Sequence, residues 1–159
     1  YKGSFDGLKM CFIGDGNNMM NSLIVGCLKV GMAVSVACPE GYRPPQEILD
    51  FAGAYDCFEL TDDPLTAAKD ADVVITDVWT SMGQEEERAA REKAFAGYCV
   101  DDRIMAAAKP DAIVQHCLPA HRGEEITEAV FEANAAPIFD EAENRLHAQK
   151  AVMVMLMKD

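Results

Sequence analysis

Five short apolar stretches, each followed by a turn and then by residues at helical spacing, limit what this chain can become. Leu8–Ile13 closes on Gly14-Asp15-Gly16, and apolar residues then recur at helical intervals from Met19 to Val30, before Gly31. Ala33–Ala37 runs into a cluster of Pro39, Gly41, Pro44 and Pro45, with a helix expected from Pro45 to about Ala54. Cys57–Leu60 is the third stretch, Asp63-Pro64 opens a brief helix to Lys69, and Ala71–Thr76 reads as a buried fourth strand. Beyond a polar loop, helices are expected over Glu85–Phe95 and Asp101–Lys109. A fifth strand follows over Ala112–Gln115, then helices over Thr127–Ala133 and from about Glu141 to Met157. In the Glu85–Phe95 segment the acids come first, as the helix dipole favours, and Glu87/Arg91 and Arg88/Glu92 stand one turn apart.

Strands alternating with helices specify a parallel sheet, because each right-handed crossover lays a helix on one face or the other. The expected class is α/β: a Rossmann-like, doubly wound, five-stranded parallel sheet with helices on both faces. With strand order 3-2-1-4-5 the chain reverses direction between the first and fourth strands, and ligands in such sheets bind beside that switch point at the carboxyl ends of the strands. The length of 159 residues allows one domain, and 50% hydrophobic with 26% charged residues is globular composition.

Charge and cysteine usage narrow the partners. Fourteen basic residues face 27 acidic ones, a formal net charge of -13, which repels polyphosphate and anionic lipid, so neither nucleic acid nor a membrane is an expected partner. The longest apolar run, Ala151–Met157, is far short of the roughly 20 residues that cross a bilayer. Six cysteines occur without a C-x-x-C pair, mostly inside apolar stretches, a pattern that fits a reducing cytoplasm. The chain starts at Tyr1 rather than at a methionine and reads as part of a longer one.

Three polar segments fall at strand carboxyl ends: Gly14-Asp15-Gly16-Asn17-Asn18, Asp77-Val78-Trp79-Thr80-Ser81-Met82-Gly83 and His116-Cys117-Leu118-Pro119. The first is an incomplete dinucleotide fingerprint, since Met19 stands where a third glycine is needed for close helix–strand packing. Gly16 suits a tight turn. One of Asn17 and Asn18 is expected to cap the following helix, and the other to bind a carboxylate through its amide at the helix start. Asp77, an acid ending an apolar strand, needs a cation or hydrogen-bond donors to offset lost hydration; an ammonium ligand supplies one, a loop cap or an arginine the bland alternative. His116 and Cys117 are neighbours in an extended segment and point to opposite faces, which argues against a Cys-His dyad. A zinc site of His116, Cys117 and His121 lacks recognised spacing, and the bland reading of Cys117 is a core thiol.

Together these segments, with Gln84-Glu85, Ala120 and the later Glu141-Ala142-Glu143-Asn144-Arg145, closely resemble the ornithine carbamoyltransferases over essentially the whole chain. The pairing of S-M-G with H-C-L-P carries the resemblance; aspartate carbamoyltransferases have H-P-L-P and lack S-M-G. The resemblance implies transfer of a carbamoyl group from carbamoyl phosphate to the δ-amine of L-ornithine, giving citrulline and phosphate, with no metal or organic cofactor. It implies that Asn18, Asp77, Ser81 and Met82 hold the α-carboxylate and α-amino group, the second loop closing over them. Cys117 is implied as proton acceptor beside the δ-amine, Leu118 and the His116 carbonyl as orienting the carbamoyl group, and Arg145 as stabilising charge on the carbamoyl or phosphate oxygens. A carboxylate beside Cys117 raises its pKa, so the bound ammonium and Arg145 must offset Asp77 if the thiol is to serve as a base.

The family's S-x-R-T and H-P-x-Q segments for carbamoyl phosphate do not occur here, and at the three segments only Arg122 and Arg145 are cationic. The expectation is therefore the ornithine-binding second domain over residues 1–159, without the carbamoyl phosphate-binding first domain and catalytically incomplete alone. The parent enzyme is expected to be a homotrimer or a multiple of trimers. The terminal helix, with more apolar surface than one face needs, is expected to lie partly exposed or in a self-contact, since in the family it packs on the first domain. Alternatives are a carbamoyltransferase for putrescine or N-acetylornithine and a non-catalytic amino-acid-binding module. Arginine synthesis and ornithine recovery from citrulline both remain open as the parent's role.

Overall fold

The computed structural model describes residues 1–80 and 85–158, with the side chain of Glu85 not among the described ones. Five strands, β1 (Lys9–Ile13), β2 (Ala33–Ala37), β3 (Phe58–Thr61), β4 (Val73–Thr76) and β5 (Ile113–His116), form one sheet of order β3-β2-β1-β4-β5. All four pairings are parallel. This is the doubly wound α/β sheet that the alternation of the sequence predicts. The interior strand β4, Val-Val-Ile-Thr, is buried throughout, as a strand covered on both faces must be.

On one face, α1 (Asn18–Lys29) and α2 (Gln46–Ala52) pack Met20, Ile24, Leu28 and Ala52 onto Met10, Phe12, Val34 and Val36. On the other, α3 (Pro64–Ala68), α5 (Asp102–Ala107) and α6 (Glu128–Ala133) join α4 (Arg88–Ala94) and the buried start of α7 (Ala135–Met157) around Cys11, Val74 and Val114. The first face is not covered to its end. Over Val73, Ile75 and Ile113 an apolar hollow of about 450 Å³ lies between α1 and the residues following Tyr1.

Local chemistry accounts for the element ends. Asn17, Asp63, Asp101 and Thr127 cap α1, α3, α5 and α6 with side-chain oxygens on backbone N–H groups. Two expectations shift. Glu85–Glu87 forms a 3-10 turn before α4 proper, the tighter geometry common at helix starts. The terminal helix begins at Ala135 rather than near Glu141, because Pro137 falls in its first turn, where a backbone N–H has no intrahelical partner to lose. Past Glu143, α7 leaves the body of the domain: Leu146 and every residue from Val152 to Met157 is exposed, Leu156 to 81%. The expectation of an uncovered terminal helix is met. No described helix is long and apolar enough to cross a membrane, and all six cysteines are free.

Register decides where the site falls. Ile13 pairs with Thr76, and Thr76 with His116, so the residues that follow, Gly14, Asp77 and Cys117, leave the sheet side by side at one edge. The Thr76 hydroxyl donates to the Ile13 carbonyl at 2.8 Å and pins the two strand ends together.

Candidate active site

Of the two asparagines after β1, Asn17 is the one that caps the helix. Asn17 Oδ1 accepts from the N–H groups of Met19 (2.9 Å) and Met20 (3.2 Å), while its Nδ2 donates to Asp77 Oδ2 at 3.1 Å. Asn18, the first residue of α1, is left exposed to a cleft. Gly16 is required for a reason other than turn geometry. A Cβ there would lie 2.4 Å from Pro44 N and 2.7 Å from the Tyr42 carbonyl, to which Gly16 N–H donates at 2.8 Å. Met19, at the position of the missing third glycine, lines the cleft.

Asp77 is buried and, among the described residues, pairs with no arginine. It accepts from Val78 N–H at 2.8 Å, from Asn17, and from the Cys117 thiol, whose Sγ lies 3.1 Å from Oδ1. Asp77 and Cys117, 40 positions apart in sequence, thus meet in a cleft of about 490 Å³ that Asn18, Thr80, Arg88, His121, Glu124 and Arg145 also line. Burial first, and then the charge and hydrogen bond of Asp77, push the Cys117 thiol up to about 12; Glu141 adds to the rise and Arg145 opposes it. Glu141 is itself raised by burial. Cys117 is therefore a thiol donating to a carboxylate. Alkylation of Cys117 by iodoacetamide, followed by peptide mass spectrometry, is expected to rise about tenfold per pH unit from pH 7 to 10. A plateau near pH 8 would contradict this electrostatic account.

The His116 ring bonds to Glu125 and the Leu118 backbone, although one of its nitrogens lies within 4.8 Å of Cys117 Sγ. The ring is fully buried, with Nε2 3.2 Å from Glu125 Oε1, and Nδ1 accepts from Leu118 N–H at 3.0 Å. The half-buried Leu118 side chain packs against the core, leaving only its backbone for the orienting role implied by resemblance. Ligand atoms of Asp77, His116 and Cys117 lie within 4.8 Å of one another, and those of His121, Glu124 and Glu125 likewise. His121 does not join His116 and Cys117 in either cluster, so the three-residue zinc grouping weighed from the sequence does not form among them. Ser81 and Met82 lie outside the described residues.

Three charged groups at the site were not singled out by sequence reasoning. Arg88, at the start of α4, lines the cleft and forks to Glu92 (2.7 Å) and Glu124 (2.5 Å), so it joins Arg145 as a cleft cation, whereas Arg122 does not line the cleft and pairs with Glu132 at 2.6 Å. Glu125 sits behind His116. Arg91, legible only as a surface partner of Glu87, is buried: Nη1 donates to Asp15 Oδ2 (2.6 Å) and the Trp79 carbonyl (3.0 Å), Nε to Glu87 (3.0 Å), and the guanidinium covers Tyr42 at 5.0 Å. One cation thereby ties the turn after β1 to both flanks of the segment from Thr80 to Glu86. Burial raises the Asp15 carboxyl and Arg91 opposes the rise. Arg91→Ala is expected to destabilise the fold by about 3–5 kcal/mol in urea unfolding, since it strands a largely buried acid. Arg91→Lys should recover less than half, because an ammonium lacks the fork.

Residues 6–156 match the family model described as "Aspartate/ornithine carbamoyltransferase, Asp/Orn binding domain", and the chain belongs to this family. It is 54% identical over 160 residues to the ornithine carbamoyltransferase of Geobacter metallireducens, covering 99% of this chain and 53% of that protein. The ornithine carbamoyltransferase of Methanosarcina mazei is also 54% identical, over 159 residues. Among solved structures, the anabolic ornithine carbamoyltransferase of Campylobacter jejuni superposes with a TM-score of 0.89 at 44% identity, covering 94% of this chain and 51% of that one. The Pyrococcus furiosus ornithine carbamoyltransferase gives 0.88 at 48% identity, covering 96% and 50%. The chain spans about half the length of the curated relatives it matches.

Proposed function

We propose that this chain is the ornithine-binding half of an ornithine carbamoyltransferase and performs transfer only together with a carbamoyl phosphate-binding half. The contact of Asp77 with Cys117 in a cleft shared with Asn18 and Arg145 carries the reading. Asp77 offers a desolvated carboxylate to an ammonium, and Asn18 offers an amide to a carboxylate at the start of a 12-residue helix. Ser81 and Met82 complete the grip on the amino-acid head. These are complementary groups for the free α-amino acid end of ornithine, which putrescine lacks and N-acetylornithine blocks.

Burial still raises the Cys117 thiol, but an ammonium seated on Asp77 offsets the next cause of the rise, and Arg145 favours the thiolate further. The thiolate takes a proton from the δ-ammonium. The freed amine attacks the carbonyl carbon of carbamoyl phosphate, the C–N bond forms, the C–O bond to phosphate breaks, and the proton shed by nitrogen leaves with the phosphate. Arg145 meets the charge that builds on the carbamoyl oxygen, with backbone carbonyls of His116 and Leu118 orienting the amide. No cofactor or metal enters the scheme. The uncovered end of α7 and the half-length match to relatives support a missing partner half, and the parent is read as a homotrimer or a multiple of trimers. Six free cysteines suit the cytoplasm, and a role in arginine synthesis fits the anabolic Campylobacter jejuni relative.

Calorimetry tests the reading: L-ornithine and L-norvaline should bind the chain, putrescine should not, and an added first half should tighten binding. Absence of heat with both amino acids, with and without that half, would overturn it.

A further inference from the structure

Each strand end that feeds the cleft brings one polar residue and one apolar neighbour. Asn18 is followed by Met19, Asp77 by Val78 and Cys117, after one intervening residue, by Pro119, and all six line the cleft. Asn18 and Asp77 suit the charged head of an α-amino acid, and Cys117 the amine at its far end. The aliphatic chain between them needs an apolar wall, the usual complement to a few fixed polar groups in a small-molecule site.

The three apolar residues differ in how they can form that wall. Val78 is buried, with its N–H donating to Asp77 Oδ1 at 2.8 Å, and Pro119 is a backbone ring. Met19 is the one with a long side chain on a helix. Asn17 Oδ1 accepts from Met19 N–H at 2.9 Å, which fixes the backbone in the first turn of α1. The half-buried side chain packs against the core beneath α1 and also lines the cleft. A methionine free on all sides adapts to whatever it meets. Backed by a close-packed core it yields far less, and its length then fixes the room left for a ligand's methylenes.

We propose that Met19 is a specificity-determining residue, the wall that fits the cleft to the side-chain length of ornithine and turns away the next longer homologue; this rests on the proposed function. L-norvaline has the carbon chain of ornithine without the δ-amine, and L-norleucine is one methylene longer, so the pair reads the wall apart from the contacts of that amine. By calorimetry the unaltered 159-residue chain should bind norvaline at least about tenfold more tightly than norleucine, since one methylene in an apolar pocket is worth about 10–200-fold. Met19→Ala, its fold checked by circular dichroism, should narrow that ratio to within about threefold. A merely structural role would weaken both ligands together and keep the ratio. If Met19→Ala does not fold, Met19→Leu, a swap that cores tolerate, should shift the ratio the same way by at least about twofold. An unchanged ratio in a folded variant, or no preference in the unaltered chain, overturns the proposal and leaves the reading of the cleft standing. Binding of neither amino acid, with or without an added first half, overturns both.

Discussion

Asp77→Asn is expected to weaken ornithine binding by at least about thirtyfold, and by up to several thousandfold, while the chain stays folded. The substitution keeps the shape of the side chain and the acceptor for Val78 N–H, so the turn at the end of β4 survives. What it removes is the charge facing the ligand's ammonium. Truncating one partner of a buried, hydrogen-bonded charge pair costs about 2–5 kcal/mol, which sets that range. Calorimetry with ornithine measures the loss, and unfolding in urea checks the fold. The same variant should alkylate faster at Cys117, because one of the causes that raise the thiol is gone. Tight binding retained by Asp77→Asn would mean that the ammonium sits elsewhere.

A still larger effect is expected for catalysis. The 159-residue chain alone should form citrulline at least about 10⁵-fold more slowly than a full-length relative, because effective molarities of about 10⁵–10⁸ M are lost when one reactant is no longer held. Adding a first half from a relative, as a separate polypeptide, should restore part of that rate in proportion to its occupancy. The test is citrulline production with and without the added half. A rate near that of a complete enzyme from the chain alone would refute the need for it.

Much of this site was legible because a parallel sheet turns a sequence pattern into a place. Once the strands ending at Ile13, Thr76 and His116 are recognised, register brings their following residues together, and Asn18, Asp77 and Cys117 follow without reference to side-chain packing. That one of Asn17 and Asn18 caps the following helix was legible from the residue types. Arg91 and Glu125 were not. Arg91 lies at i+4 from an acid, the spacing of any exposed helical pair, and only the three-dimensional approach of Asp15 and Trp79 shows it to be buried. Glu125 sits in a Gly-Glu-Glu run that reads as a solvated turn, and nothing local reveals that the second acid points inward while the first pairs with Arg88. Gly16 reads locally as a turn residue, and the crowding that also requires it comes from a loop 26 to 28 positions downstream, which no local pattern reveals.

The sheet's direction has a further consequence. The segments after β1, β4 and β5 that line the cleft leave the carboxyl rim, whereas the links entering β2, β3, β4 and β5, around Gly31, Tyr55, Asp70 and Pro110, lie at the other. Apart from the Lys109–Asp72 ion pair, that far rim holds little that the chemistry depends on. Insertions, tags and evolutionary drift can accumulate there, so one edge of the molecule is free to diverge while the other stays constrained by its ligand.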